Sequence, residues 1–590
     1  MAVTQIPNEL IEFGVKTFAT NSIMLGDTTT GTISGANNNT GFGIDVFEAL
    51  TTGQSNVAIG LDSLTALTTG NYNTGVGRLT LSSVTTNSNN TAVGGVALQN
   101  NTGSDNTAVG SSALTANTSA SYNVAVGSSA LLSNTTGHSG VAIGYQALDA
   151  NTTGIANIAI GYAALGANTT AHDNTAIGQY SLDANTTGTR NVAIGNASLS
   201  ANTTANDNTA VGVNALLANT TGSSNTAVGG GSLDTNTTGV HNSALGHNTL
   251  TSSTGSKNTA VGSAALYTNT TASENTAVGY TSLYYNTTGT KNTATGHRSL
   301  ESNTTASNNA AFGYNALLSA TTGAQNVAVG SETLDALTTG ANNTACGYEA
   351  LGKLTTATDC VAVGRAAALD YTTGSGNVAV GVEALENGTT GSNNVAIGKQ
   401  AGRNITTGLG NTLVGYSSEP SAAGGQYQIV IGYNVLGVGN NYITMGSSTG
   451  SDRIYNKFDS NASWTRASDE RYKEEIQDNT DCGLDFINDL RPVTFKWKPR
   501  ADIDNTLPDY DENKTERHDD GKMYGLIAQE VKQAMDDHNI TDFGGWSIEE
   551  DSGIQGISQE MFVHPLIKAV QELSAKCDSL QNEINTLKGE

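Results

Sequence analysis

Ser468 and Lys473 are the residues of this 590-residue chain best suited to covalent chemistry. They stand in the stretch Thr465-Arg466-Ala467-Ser468-Asp469-Glu470-Arg471-Tyr472-Lys473. A serine hydroxyl is a weak nucleophile until a base takes its proton. Lysine can be that base only when neutral, so its free pKa of about 10.4 has to fall by several units through desolvation or a nearby cation. Arg471 is a candidate for that cation. Five residues apart, the two side chains do not share one face of a straight helix. A turn, or a second subunit, must bring them together. Taken alone, the pair says little, because a helix cap at Ser468 or Asp469 with a solvated Lys473 explains the same letters.

The position of the pair gives it weight. The net charge is −26, and 46 of the 78 charged residues lie in residues 451–590. The pair therefore sits just past a boundary between a nearly uncharged region and a charged one. Acidic residues outnumber basic ones on both sides, which argues against nucleic-acid binding. Cys346, Cys360, Cys482 and Cys577 form no CxxC, and His564 and the other histidines form no ligand cluster. No metal or cofactor is expected. The N-terminal residues lack a basic and then apolar leader, and no apolar run reaches the length of a membrane span.

Upstream of the boundary the chain repeats. Glycines recur from Gly43 to Gly432 in steps of 17 residues, except for two steps of 16, at Gly94–Gly110 and Gly246–Gly262. Asn191-Val192-Ala193-Ile194-Gly195 is a typical unit. Val192 and Ile194 alternate with Ala193, which is strand periodicity. Ala197–Ala201, carrying Leu199, reads as a second alternating segment, and Asn-Thr-Thr-Gly reads as a turn. About 24 such coils predict an elongated parallel β-roll or β-solenoid with a continuous Val/Ile/Leu core. At about 4.8 Å per coil it would be roughly 115 Å long. No proline lies between Pro7 and Pro420 to interrupt the ladder. The Asn-x-Thr triplets read as turn and ladder residues. Tyr145, Tyr162, Tyr280, Tyr314 and Tyr348 read as outer-face packing, with a sugar-binding stack as the alternative. The thin core predicts a trimer packed along the Ala-rich face, with poor intrinsic register.

The unit N-[TV]-A-[VI]-G resembles the head repeats of YadA-type trimeric adhesins, a resemblance that implies three β-rolls packed by their inner strands. Beyond Lys473, Leu490-Arg491-Pro492-Val493-Thr494-Phe495-Lys496-Trp497 and Tyr524-Gly525-Leu526-Ile527-Ala528-Gln529-Glu530-Val531 resemble hallmarks of the S74 family, the self-excising chaperone domains of phage tail fibres and tailspikes. That resemblance implies Ser468 as nucleophile, Lys473 as base and the Ala467–Ser468 bond as the one cut. Leu566, Val570, Leu573, Cys577, Leu580, Ile584 and Leu587 form a heptad seam behind Pro565, and predict a self-associating terminal helix over 565–588.

The expected order is a cap or virion-attachment segment (1–35), the shaft (36–446), a linker (447–467), and an α+β chaperone domain (468–590) ending in a trimeric coiled coil. The expected protein is a homotrimeric phage tail fibre assembled in the host cytoplasm. Its N-terminus would dock on virion tail proteins, and its shaft would meet a host-surface receptor, a polysaccharide or an outer-membrane component. It would need no nucleic acid and no membrane insertion. The alternatives are a YadA-like surface adhesin and a tailspike polysaccharide depolymerase; no repeat carries the paired carboxylates a glycosidase needs.

Overall fold

The computed structural model describes residues 14–17, 21–26, 34–447, 452–458, 465–466, 476–507, 510–516, 521–548 and 553–589. The chain divides into two compact units, residues 1–467 and 468–590.

The first unit is a parallel β-solenoid. Twenty-four short strands, β3 (Thr40–Gly43) through β26 (Ile429–Gly432), stack in sequence order, one per coil. Between β12 (Val192–Ile194) and β13 (Thr209–Val211) the register is Val192↔Thr209, Ala193↔Ala210 and Ile194↔Val211. The two 16-residue coils keep the same alignment, as in Thr91↔Thr107 and Ser243↔Thr259. The omitted residue is therefore absorbed in the loop and not in the ladder.

Each coil turns at its glycine. Gly195 has φ 134°, and a Cβ there would lie 2.4 Å from the Gly212 carbonyl oxygen of the next coil. Only glycine satisfies both conditions. The segment after it departs from the sequence expectation. Residues 196–201 are turn and not a second strand. Ala197 and Leu199 both have φ 52°, so the chain winds tightly instead of extending. It is nonetheless tied to the next coil, with the Leu199 N–H donating to Ala215 O (2.9 Å) and the Ala201 N–H to Leu217 O (3.0 Å).

The core is also different from the expected one. Ala193 and Leu199 are fully buried, whereas Ile194 is 37% exposed. The alanine column points inward and the Val/Ile column outward. The coil is too narrow for a branched side chain opposite Leu199, and alanine fits. This rules out the Ala-rich face as a surface on which subunits pack.

Two columns of asparagine fill much of the rest of the interior. In the column preceding the strands, the Asn191 N–H donates to Asn174 Oδ1 (3.0 Å), and Asn191 Nδ2 donates to Ala205 O (2.9 Å). In the Asn-Thr-Thr column, Asn202 Nδ2 donates to Asn185 Oδ1 (2.8 Å), and Asn202 Oδ1 accepts from Asn219 Nδ2 (3.1 Å). Buried amides are tolerated because each one bonds its counterpart a coil away. This second column is polar only in the middle of the shaft. Leu50, Leu67 and Val84 occupy it at one end, and Leu337, Leu354, Tyr371 and Ile405 at the other, all fully buried. The Tyr371 ring fills the space that a Cβ on Gly388 would need. Asn202→Ala should leave a donor on Asn219 and an acceptor on Asn185 unpaired, a loss of about 2–4 kcal/mol. Hydrogen exchange would show it as faster opening confined to the flanking coils; unchanged protection there would refute the account.

Both ends of the ladder fold back. Strand β2 (Ile23–Gly26) already pairs parallel with β3 in the 17-residue register, and β1 (Gly14–Thr17) returns antiparallel to it. The ladder thus begins inside the segment expected to be a cap. At the far end, β27 (Tyr442–Gly446) continues the parallel stack, while β28 (Arg453–Lys457) and β29 (Thr465–Arg466) are antiparallel. Antiparallel returns cover the hydrogen-bonding edges that a solenoid otherwise leaves open.

Glu419 lies near this end. It accepts from the Asn404 backbone N–H (3.2 Å). Burial pushes its carboxyl up to about 7, against the opposing pull of those N–H bonds and of Arg403. An acid raised in the folded state is favoured there as its neutral form, so stability is present at low pH and lost as pH climbs from about 4.5 through about 7. Glu419→Gln should therefore match wild type at pH 4 and melt higher at pH 8, by about 1–3 kcal/mol. Thermal melts at the two pH values test this, and equal melts at pH 8 would contradict it.

The second unit is a small α+β fold. Helices α1 (Leu484–Asp489) and α2 (Ala528–Asp537) pack on each other, α2 meets the antiparallel pair of β32 (Trp546–Ile548) and β33 (Gln555–Ile557), and β30 (Val493–Phe495) and β31 (Met523–Gly525) form a second antiparallel pair. The 26-residue helix α3 (Val563–Lys588) follows. Among the described residues, no helix is long and apolar enough to cross a membrane, and no cluster of three metal-capable side chains occurs.

Candidate functional site

Ala467, Ser468, Arg471 and Lys473 lie outside the described residues. What is described is the frame that follows them. The two motifs of that frame, separate in sequence, pair in space, through Val493↔Gly525, Thr494↔Tyr524 and Phe495↔Met523. An ion pair joins them as well, Arg491 Nε donating to Glu530 Oε2 at 3.0 Å. The Arg491 guanidinium holds the Glu530 carboxyl below its usual range. In the sequence the two motifs read as independent signatures, without this pairing. The available signal was the strand alternation of Val493 and Phe495, together with the opposite charges of Arg491 and Glu530.

Behind the pair lies a core of Phe486, Val531, Ala534, Met535 and Ile540. Phe543 packs edge-on against both Phe486 (5.6 Å) and Phe562 (5.0 Å). Asp489 on α1 bonds His538 at the end of α2 (2.7 Å). The root of α3 is held by buried Pro565 and Ala569, and by Glu572, which accepts from the Leu484 N–H (2.7 Å). A shallow groove of about 410 Å³ runs along the motif pair, lined by Pro492, Val493, Tyr524, Leu526 and Phe562. Past its root α3 turns its seam to solvent: Leu573 is 50% and Leu580 57% exposed.

Residues 468–540 match the Peptidase_S74 family model, described as the chaperone of endosialidase. The match begins at Ser468 and takes in both motifs, α1 and α2. No curated protein and no solved structure matches the chain. An S74 chaperone domain placed behind a β-solenoid shaft fits a tail fibre or tailspike.

On the shaft some closing glycines are followed by tyrosine, and where two such tyrosines fall in adjacent coils they stack. Tyr145 and Tyr162 stack with ring centroids 5.5 Å apart, and Tyr416 and Tyr433 at 5.1 Å. These contacts are the sheet analogue of cross-strand pairs and accord with outer-face packing at these positions.

Proposed function

We propose that the chain is a homotrimeric phage tail fibre whose S74 domain assembles it and then cuts itself away between Ala467 and Ser468. The observation that carries this reading is that the family match starts at Ser468, the residue expected to be the nucleophile, with the compact-unit boundary at the same bond. In the proposed step, neutral Lys473 takes the proton from Ser468 Oγ, which adds to the Ala467 carbonyl carbon. The C–N bond breaks, and Lys473 returns the proton to the departing Ser468 amine. Water then hydrolyses the ester, leaving a carboxylate on Ala467 and a free hydroxyl on Ser468. One turnover consumes one water and needs no outside substrate. N-terminal sequencing of the released fragment tests it.

Trimerisation is proposed along the outward strand face, in place of the buried alanine column. The third strand position runs Ile177, Ile194, Val211, Val228 and onward, and neither outward column carries a charge. An uncharged ribbon on the scale of the whole shaft is far larger than the apolar patches of a soluble monomer. Only a surface of equal length and spacing covers it throughout, and another copy of the chain has one. The exposed seam of α3 supports the same stoichiometry-setting role for the chaperone. The proposed location is the virion, with the N-terminus on the tail and the shaft toward a host-surface receptor.

A further inference from the structure

From Tyr267 to Tyr314 the shaft surface carries five tyrosine rings and one histidine ring. Tyr280, His297 and Tyr314 form one stack, with centroids 5.4 and 5.3 Å apart. Tyr267 and Tyr284 form a second, 5.1 Å apart with nearly parallel rings, and Tyr285 stands edge-on to Tyr284 at 4.6 Å. The repeat supplies its own control for what the fold requires. The position of Tyr280 and Tyr314 is held by Ser263 and Ser331 in adjacent coils. That of Tyr284 is held by Leu318 two coils on, and that of Tyr285 by Thr268 and Ser302 in the adjacent coils. The coil closes equally well without an aromatic ring at any of these positions, so neither winding nor core explains the concentration of rings. Tyr280 is 55% and Tyr285 52% exposed, so both rings are open to a ligand from solvent.

We propose that this patch is a binding surface for an uncharged polysaccharide; the inference rests on the host-attachment reading above and gives it a site. Tyrosine offers a large, rigid apolar surface with a hydroxyl at its rim, which suits a ligand whose rings have C–H faces and hydroxyl edges. The rings recur once per coil, close to the length of one sugar unit, so an extended glycan can meet successive rings along the shaft. The charged residues at the border, Arg298 and Glu301, are already bonded to each other (2.8 Å). They leave hydrogen-bonding atoms without a net charge, which favours a neutral chain over an acidic one.

The test uses full-length protein on a printed array of purified bacterial lipopolysaccharides and capsular polysaccharides. The variant is Tyr280→Ser/Tyr285→Ser/Tyr314→Ser, with serine chosen because the repeat already accepts it. Wild type should bind a subset of neutral polysaccharides, and the variant should lose more than about 100-fold in affinity with an unchanged melting temperature. Equal binding by the variant overturns the patch and leaves the attachment reading standing. So does a wild type that ignores every polysaccharide but binds whole bacteria in a protease-sensitive manner, since that receptor is a protein. A wild type that binds neither polysaccharides nor cells overturns both.

Discussion

Wild-type chain should yield two products, residues 1–467 and a fragment running from Ser468 to Glu590, whereas Ser468→Ala should yield only the 590-residue chain. Lys473→Ala should behave in the same way, because without a base the hydroxyl is not activated at neutral pH. Both variants should still trimerise, since the seam of α3 and the strand face of the shaft are untouched. The effect is close to all-or-none and is read on a denaturing gel and by the first residues of the small product. Cleavage should follow folding, because an unfolded chain offers no site dry enough to hold Lys473 neutral. The pH dependence separates the two roles. Processing should accelerate as pH rises toward the depressed pKa of Lys473, and substitution of Arg471 by Gln should move that midpoint upward without abolishing the cut. A product beginning at another residue, or normal cutting by Ser468→Ala, would falsify the dyad. Once the chaperone has left, the shaft would be held by the barrier to unfolding and no longer by the interactions that set its register.

The sequence makes the period, the first strand of each coil and the glycine corner legible, because each depends on backbone geometry that few residues allow. Gly195 is the clearest case: its φ and the nearness of Gly212 leave no alternative. Which side of the strand faces inward is not legible from alternation alone. Val192 and Ile194 against Ala193 states that two faces exist and not which is inside. Hydrophobicity points to the wrong one, because the coil is so narrow that volume outranks apolar area. The segment around Leu199 misleads for a related reason: its alternating hand of φ imitates the period of a strand in the letters. The buried Asn columns are half-legible, since the recurrence of Asn202 and its counterparts is plain but their inward direction depends on the ladder that satisfies them. In the C-terminal unit the motifs are readable one by one. Their union through Arg491 and Glu530 is a contact across 39 residues, and the strand alternation and opposite charges that point to it lie in separate stretches of the chain.

Placing Asp at Ile177, Ile194 and Val211 together should abolish the trimer while leaving each solenoid wound. The three side chains sit in successive coils at the outward strand position, so in a single chain the new carboxylates reach water. In a trimer packed on that face they would be three like charges per chain, buried without partners, at several kcal/mol each. That total exceeds what a thin interface recovers locally and should split or fray the shaft there. Asp at Thr187, Thr204 and Thr221, exposed loop positions in the same coils, adds the same charge elsewhere and should leave the trimer intact. Light scattering and protease resistance of full-length protein distinguish the two sets. Cys346 provides an independent readout, since it occupies the outward position of its strand and is exposed and free. In a Cys577→Ser background, mild oxidation should link chains through Cys346 only if like positions meet within disulfide reach, a Cα separation of about 4.4–6.8 Å. A trimer that tolerates the first Asp set, and in which Cys346 never cross-links, would mean that the Val/Ile ribbon faces something other than its own copies. The exposed seam of α3 would then be the whole of the oligomer interface.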